Sequence, residues 1–568
     1  MQSYEDAVSF LGNWGPFQRR VFILLSLLSI PCGYVVLSVI FLLAVPPHHC
    51  SIPVSSNLSQ DWIQASIPEK HVAGKLERSS CSRYRLDLVL NLSAGEDSLH
   101  VDHVQNLSVL LAQVPSSDMM LEGCRDGWIY CKQYYQSTVV TEFNLVCSDQ
   151  WKQPLVSLLY FVGGLCGCFI SGQMADRFGR KPTLFGSLLI LTISSTAATF
   201  APSFPVFTVL FMLMGFSQMA IYITIFVLGS ETLIGSTRVL FCSLCLPFVY
   251  NTAVVMLPCT AYLVRNWRHL TLLIAVPGLA CLPLFGLIQE SPRWLVSCGR
   301  LEEAERLLRS AALQNRVEPP AVIFHSSMVE KTEKEKSETY NFFHLMRIKK
   351  IRPIAFILWV IWLSTSLSFF GISFNLSSLD GSPFITYILS SAVDFPGYTV
   401  SWLTAGYFPR RLSYIGCTLV SALALFLLQI TMHSSTTLTL VLALLGKFGI
   451  LAAIGVIYVY TGELFPTVIR NTAMSSCAMF ARLGSSVSPY LMQLAVFYEF
   501  LPWIVVASLS LVVSLLCAFL PETFRQPLPD TIQELKPIQM FKWPCRNGPT
   551  SKDDLRPDAP EVLRSTRF

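Results

Sequence analysis

Apolar residues dominate this chain in stretches about as long as a bilayer is thick. A hydrocarbon core takes about 20 apolar residues of helix. Runs of that length lie at roughly 21–45, 153–173, 183–201, 206–229, 239–263 and 270–288, and again at 354–374, 384–406, 413–432, 436–461, 471–497 and 501–520. The pattern predicts an all-α polytopic membrane protein of twelve transmembrane helices in two blocks of six. The organisation that follows is an N-terminal segment 1–20, span 1 at 21–45, a long loop 46–150, spans 2–6 within 151–288, a polar loop 289–352, spans 7–12 within 353–520 and a tail 521–568.

Direction follows from the basic residues, which collect on the cytoplasmic side of a membrane protein. Arg19, Arg20, Arg177, Arg180, Lys181, the basic residues of the 289–352 loop, Arg410 and Arg411 all fall on one side. That side is expected to be cytoplasmic, with both termini on it. The first residues end in Arg19 and Arg20 and read as no cleavable leader, so span 1 should be retained. The 46–150 loop is then outside. It holds Asn57, Asn91 and Asn106, each in an Asn-Leu-Ser sequon, and Cys50, Cys81, Cys124, Cys131 and Cys147. A glycosylated, oxidising exterior explains both features. Cys131, seven residues from Cys124, is the expected odd thiol. The other four allow three pairings, which sequence leaves open.

Composition narrows the function class. The chain is 52% hydrophobic and 14% charged with a net charge of +5, and its mean hydropathy is +0.51. Too few charges remain to cover a soluble surface, and no basic tract points to nucleic acid. No HExxH, CxxC or nucleophile-elbow pattern occurs, so neither an enzyme nor a resident metal or cofactor is expected. A receptor or channel would account for the spans alone.

An internal repeat says more. Gly-Ser-Glu231 is followed seven residues later by Arg238, and Thr-Gly-Glu463 seven residues later by Arg470; Glu290 follows span 6 and Glu522 follows span 12. All three offsets are 232. A third landmark, GQMADRFGRK from Gly172 to Lys181, contains Asp176, Arg177 and Arg180, and its partner shrinks to Phe408-Pro409-Arg410-Arg411. Parallel six-span repeats with matching charged ends are the plan of transporters that rock one half against the other. Repeat and motif together resemble the major facilitator superfamily. The resemblance implies that Asp176, Arg177, Arg180, Glu231, Arg238, Glu463 and Arg470 form gating ion pairs that hold the outward-open state.

Within that superfamily, FLGNWGPFQR (Phe10–Arg19), STVVTEFNLVC (Ser137–Cys147), LGKFGI (Leu445–Ile450), YVYTGELFPTVIRN (Tyr458–Asn471) and ARLGSSVSPY (Ala481–Tyr490) resemble solute carrier family 22. The similarity is greatest to its organic cation and carnitine branch. It implies a plasma-membrane secondary transporter of small organic ions, chiefly zwitterionic quaternary ammonium compounds such as carnitine, ergothioneine or related betaines, together with organic cations. An organic anion carrier or exchanger of the same family is the alternative. Sodium enters as a candidate co-transported ion, with Glu463 and Asp394 as candidate acids.

Charges inside a bilayer are costly and mark function. Arg482 sits on a small-residue face with Ser475, Ala478 and Ser486, and its guanidinium fork suits a carboxylate. Pairing with Asp394 is the competing reading. Lys447 shares a helical face with Ile454 and Tyr458 and could meet either substrate or an internal acid. Aromatic faces hold a quaternary ammonium for about 0.5–2 kcal/mol per ring, and Tyr222, Tyr250, Trp362, Tyr458 and Tyr460 are the candidates, with Gln218 one turn from Tyr222. Trp359, Trp362, Ser366 and Phe369 form one stripe on span 7. Cys32, Ile221, Phe369 and Asn375 depart from the carnitine branch, each losing a polar group, so the exact zwitterion stays open.

Outside the spans, Leu301–Gln314 reads as an amphipathic helix at the membrane surface and Lys331–Glu338 as a flexible linker. GSETLIGST from Gly229 lacks the lysine of a phosphate loop. The C-terminal Ser565-Thr566-Arg567-Phe568 fits capture by a PDZ-domain partner.

Overall fold

The computed structural model describes residues 8–12, 14–53, 58–72, 75–94, 121–320, 323–324, 346–376, 379, 381–496 and 498–524. The sequons at Asn57 and Asn106, the Lys331–Glu338 linker and the C-terminal tail beyond Phe524 lie outside the described residues. Asn91 falls in a helix, Leu86–Ala94.

Helix occupies every one of the twelve apolar stretches. In the first half these are span 1 (Pro16–Leu28, Ile30–Val36 and Ser38–Leu42), span 2 (Lys152–Phe178), span 3 (Arg180–Thr199), span 4 (Phe204–Thr232), span 5 (Gly235–Leu240 leading through Phe241–Cys245 to Leu246–Leu263) and span 6 (Trp267–Cys281). In the second they are span 7 (Arg352–Asn375), span 8 (Pro383–Ala392 and Asp394–Tyr407), span 9 (Arg410–Thr431), span 10 (Thr436–Leu464), span 11 (Thr467–Val487) and span 12 (Leu501–Cys517). Among the described residues, nine helices are long and apolar enough to cross a membrane. The other three have visible causes. Span 11 carries Arg470 and Arg482 and tightens into a 3-10 run, Ser488–Val496. Span 12 is apolar but 17 residues long. Span 8 breaks because Pro396 has no amide hydrogen and its ring crowds the Ala392 carbonyl four residues back. The restarted helix opens on Asp394, whose charge suits a helix N-terminus.

Close packing within a half uses small residues. Span 2 lies on span 4, where a Cβ at Gly215 would collide with the Tyr160 carbonyl. The halves meet where span 2 packs on span 11 and span 5 on the first part of span 8.

The 46–150 segment defines what we term the outer face. It contains three antiparallel two-stranded pairs, His48–Cys50 with Trp128–Tyr130, Glu69–Val72 with Lys75–Arg78, and Ser82–Tyr84 with Leu121–Gly123. Disulfides join Cys50 to Cys124 and Cys81 to Cys147, and Cys131 is a free, exposed thiol. Buried Arg83 ties the first and third pairs together, donating to Glu122 at 3.0 Å, Asp126 at 2.6 Å and the Ser51 carbonyl at 2.7 Å. The segment is clasped to the first half by Glu142, which accepts from Trp267 Nε1 at 2.6 Å and pairs with Arg268.

At the inner face, the helix Leu301–Asn315 turns its apolar side, Leu308, Ala311 and Ala312, onto Val8, Leu11 and Phe17 of the N-terminal segment. Asn315 seals the contact. Its Oδ1 accepts from the Phe17 amide at 2.9 Å and its Nδ2 donates to Gln18 Oε1 at 2.8 Å.

Candidate functional site

Two ion-pair clusters frame the inner ends of the halves. Arg180 opens span 3, and its guanidinium reaches Asp176 at 2.6 Å and Glu231 at 2.9 Å. Glu290 accepts the backbone amides of Arg180 at 2.9 Å and Lys181 at 3.2 Å, a carboxylate placed at the positive end of a helix. Gly179, at φ +109°, makes the turn before it; a Cβ there would sit 2.5 Å from Glu290 Oε2. The second half repeats the device. Arg410 opens span 9 and pairs with Glu463 at 2.9 Å, Glu522 accepts the amides of Arg410 at 2.9 Å and Arg411 at 3.1 Å, and the Thr523 hydroxyl donates to Glu463 at 2.6 Å.

This geometry revises the pairing that the repeat suggests. Glu231 and Glu463 bind Arg180 and Arg410, not the arginines seven residues on. The chain leaves the helix at Leu233 in one half and at Phe465 in the other, so Arg238 and Arg470 belong to the next helix. Arg470 Nε and one Nη are buried without a hydrogen-bond partner among the described residues. Arg177 is exposed, with its guanidinium 5.6 Å from the centroid of the Phe178 ring. The shrunken Phe408–Arg411 motif keeps the one residue the clamp needs, Arg410.

These ion pairs each stay within one half. On the outer face the halves are joined by aromatic rings. Phe384, at the start of span 8, lies 5.9 Å from Phe41, 5.5 Å from Tyr135 and 5.6 Å from Tyr262, while Phe161 meets Phe370 at 4.9 Å. Below this seal, Asn251 of span 5 donates to the Ser391 carbonyl of span 8 at 2.9 Å.

Between seal and clamps, side chains of both halves gather round Arg482. Tyr222, Tyr250 and Cys168 from the first half and Tyr458 from the second lie within its electrostatic reach. Tyr222 and Tyr250 pack edge to face at 5.3 Å, and Tyr458 stands edge to face on Trp362 at 4.4 Å. Tyr458 is 45% exposed despite these neighbours. Arg482 makes no side-chain hydrogen bond or ion pair among the described residues; only its carbonyl is used, by Ser485 and Ser486 at 2.8 Å. An arginine fork without an acid, ringed by tyrosines, can bind a carboxylate and shelter an organic cation beside it.

Lys447 and Asp394 belong to a different structure. Lys447 is 0% exposed and Asp394 4%, and their charges pair at 2.9 Å, with Lys447 Nζ also donating to Ser390 O and Oγ at 2.9 Å. This answers the competing reading of Arg482, because Asp394 is engaged elsewhere. It also takes Lys447 away from substrate. Tyr460 is likewise turned away, donating to the Pro521 carbonyl at 2.7 Å. Two residues on a helix point to nearly opposite sides, so Tyr458 and Tyr460 cannot share a cage. Trp362 is buried and bonded to Thr461 at 3.1 Å, presenting its ring to Tyr458. Trp359 of the same stripe is stacked on Phe480 at 4.9 Å inside the second half. Gln218 is 1% exposed, and neither its amide nitrogen nor its oxygen has a partner among the described residues.

Five residues were not among the candidate site residues read from the sequence. Tyr398 lies within reach of Tyr222, Tyr458 and Asp394, and Tyr160 within reach of Cys32 and Arg482. Nothing in their local pattern separates them from packing aromatics. Glu290 and Glu522 carried a signal in the repeat, as did Arg410, which sits 230 residues after Arg180.

Helical halves duplicated in sequence and geometry, meeting around a shared polar centre, define a major-facilitator-type membrane transporter. The comparisons agree. Residues 126–534 match the family model described as "Sugar (and other) transporter". The chain is 39% identical to human "Organic cation/carnitine transporter 2", covering 100% of both chains, and 37% identical to mouse "Solute carrier family 22 member 4", covering 99% of both. In fold it is similar to the major facilitator proton:xylose symporter XylE, with a TM-score of 0.56 over 90% of this chain and 98% of that one at 15% identity. The chain therefore belongs to the organic cation/carnitine transporter family, solute carrier family 22.

Proposed function

We propose that this transporter carries small zwitterions that join a carboxylate to a quaternary or delocalised cation, such as carnitine, ergothioneine or a related betaine, along with simple organic cations. The observation that supports it is Arg482, a deep guanidinium without an acidic partner among the described residues, ringed by Tyr222, Tyr250 and Tyr458 from both halves. The carboxylate goes to Arg482 and the cationic end to the tyrosine faces, with Trp362 backing Tyr458. Gln218 supplies an amide to a substrate polar group when the halves part.

In this proposal the protein lies in the plasma membrane, with the inner face and both termini cytoplasmic and Asn57, Asn91 and Asn106 glycosylated outside. The C-terminal Phe568 engages a PDZ-domain protein. Access alternates by rocking. Asp176, Arg180 and Glu231 in one half and Arg410 and Glu463 in the other keep each inner end rigid, and Arg177 and Arg470 engage the opposite half when the inner side closes.

The test is uptake of labelled carnitine, ergothioneine, tetraethylammonium and an organic anion into cells expressing the protein. Saturable uptake of a zwitterion that Arg482→Ala abolishes is expected. A second reading, an organic anion exchanger, is favoured by the same unpaired positive charge; it predicts uptake of the anion in preference to any zwitterion.

A further inference from the structure

On the outer face the second half presents one ring to four. Phe384, in the first turn of span 8, is 2% exposed, and around it stand Phe41 of span 1 at 5.9 Å, Tyr262 of span 5 at 5.6 Å, and Tyr134 and Tyr135 of the outer segment at 6.5 and 5.5 Å. The ring is firmly mounted. Pro383 opens the helix just before it, and the Tyr387 hydroxyl, one turn on, donates to the Ser373 carbonyl at 3.0 Å, which fixes this end of span 8 to span 7 of the same half.

The four rings around it travel with the first half, including the two that lie outside any span. The strap 131–137 is bonded there at both ends: the Cys131 amide donates to the Pro47 carbonyl at 2.8 Å, the Gln136 amide to the Arg265 carbonyl at 3.0 Å, and the Trp267 amide to the Ser137 carbonyl at 3.1 Å. Arg265 adds a tie between them, donating to the Gln133 carbonyl at 3.1 Å while its guanidinium covers the Tyr262 ring at 5.2 Å. Pro47 follows span 1, and Arg265 to Trp267 join spans 5 and 6. Directional hydrogen bonds thus hold the strap to its own half, whereas ring contacts hold it to Phe384. Aromatic faces can part without leaving a donor or acceptor unsatisfied, which a hydrogen-bonded closure could not do.

We propose that Phe384 is the outer latch of the transport cycle: its ring seats in a socket of Phe41, Tyr134, Tyr135 and Tyr262 and withdraws when the outer side opens, so that the outer segment forms one wall of the gate. The latch rests on the rocking of the halves proposed above, and not on which ion is carried.

The experiment reads how often the outer side opens, in cells expressing the full chain, with a membrane-impermeant anionic methanethiosulfonate added outside. The reporter is the free thiol of Cys168 on span 2, which lies within reach of Arg482. Exposed Cys131 would mask it, so one set of variants carries Cys131→Ser; a matched set keeps Cys131, whose labelling counts the folded chains displayed at the surface. The signal assigned to Cys168 is the part that Cys168→Ser removes. Phe384→Ala should raise its labelling rate by about tenfold or more, the factor expected when several ring pairs are lost. Tyr135→Ala should raise it by a smaller factor, and Ile385→Ala, at a neighbouring side chain that is 59% exposed, should leave it as in wild type. Labelling of Phe384→Ala at the wild-type rate, or an equal rise in Ile385→Ala, overturns the latch while the halves still rock. A displayed Phe384→Ala whose Cys168 is never labelled overturns both the latch and the rocking on which it rests. If Phe384→Ala is not displayed, Tyr135→Ala decides in its place, and a wild-type rate there overturns the proposal.

Discussion

Lys447 and Arg482 are both basic and both within spans of the second half, yet their surroundings differ. Lys447 is fully buried and saturated by Ser390 and Asp394. Arg482 faces tyrosines of both halves and holds no acid among the described residues. Desolvating a charge is tolerable only when its partners are fixed in place. Lys447 has such partners built in, so it belongs to the scaffold. Arg482 has no such partner among the described residues, and in the proposed function a substrate carboxylate takes that role. Residue type did not distinguish them; the side chains that adjoin each, Asp394 and Ser390 beside one and tyrosines beside the other, did.

The largest effect should come from breaking the saturated pair. Lys447→Ala leaves Asp394 charged and buried, a loss of about 3–5 kcal/mol, which denaturant unfolding of the purified protein would register; Arg482→Ala should show no comparable loss. Next comes the clamp at the inner face. Arg410→Ala strands Glu463 and should lower stability by about 1–3 kcal/mol, with the matching change at Arg180 at least as large because Arg180 also holds Asp176.

A smaller contrast separates the two tyrosines of span 10. Tyr458→Leu should weaken binding of cationic substrates by about 0.5–2 kcal/mol, the worth of one aromatic face, seen as a raised KM. Tyr460→Phe should leave KM alone and cost only its bond to the Pro521 carbonyl, about 1 kcal/mol of stability. Should the two exchange phenotypes, the face assignment of span 10 is reversed.

The smallest effect concerns the outer clasp. Burial pushes the Glu142 carboxyl upward, but hydrogen bonds from Arg268 and Trp267 and the Arg268 charge outweigh it, and the group sits below its ordinary value. A depressed carboxyl contributes stability that is complete above its unfolded pKa, about 4.3, and that is lost as pH falls through the lower folded value. Hydrogen exchange of the 139–149 region should therefore be flat from pH 7 to pH 5, after correction for intrinsic rates, and protection should fall only in stronger acid.

Much of the fold was legible because bilayer physics writes it in plain form. Long apolar runs are spans, and a repeat offset of 232 residues aligns charged ends. The break in span 8 was legible in principle, since Pro396 follows Asp394 by two residues, but hydropathy alone runs straight through it. The four paired cysteines were recoverable as a set, while their connectivity depends on how the strands of the outer segment fold back. At the site, Arg482 stood out because a charge is rare on a small-residue face within a span, and Tyr458 because an aromatic face can hold a quaternary ammonium. Tyr398, Tyr160 and the true owner of Asp394 did not, because they are matters of which helices adjoin, and one chain read in order carries no record of that. The clamp residue Arg410 shows the middle case: the repeat pointed at it, and the erosion of its surrounding motif hid it.

The central claim is that Arg482 is held ready for a substrate carboxylate. Its most direct test is a paired measurement of kcat/KM in wild type and Arg482→Ala for two substrates alike in their trimethylammonium group, one with a carboxylate and one in which an alcohol replaces it. Losing one partner of a desolvated charge pair costs about 2 kcal/mol or more, so the carboxylate substrate should fall by about 30-fold or more while the alcohol is transported about as before. Equal loss for both substrates, or retention of both, would contradict the assignment.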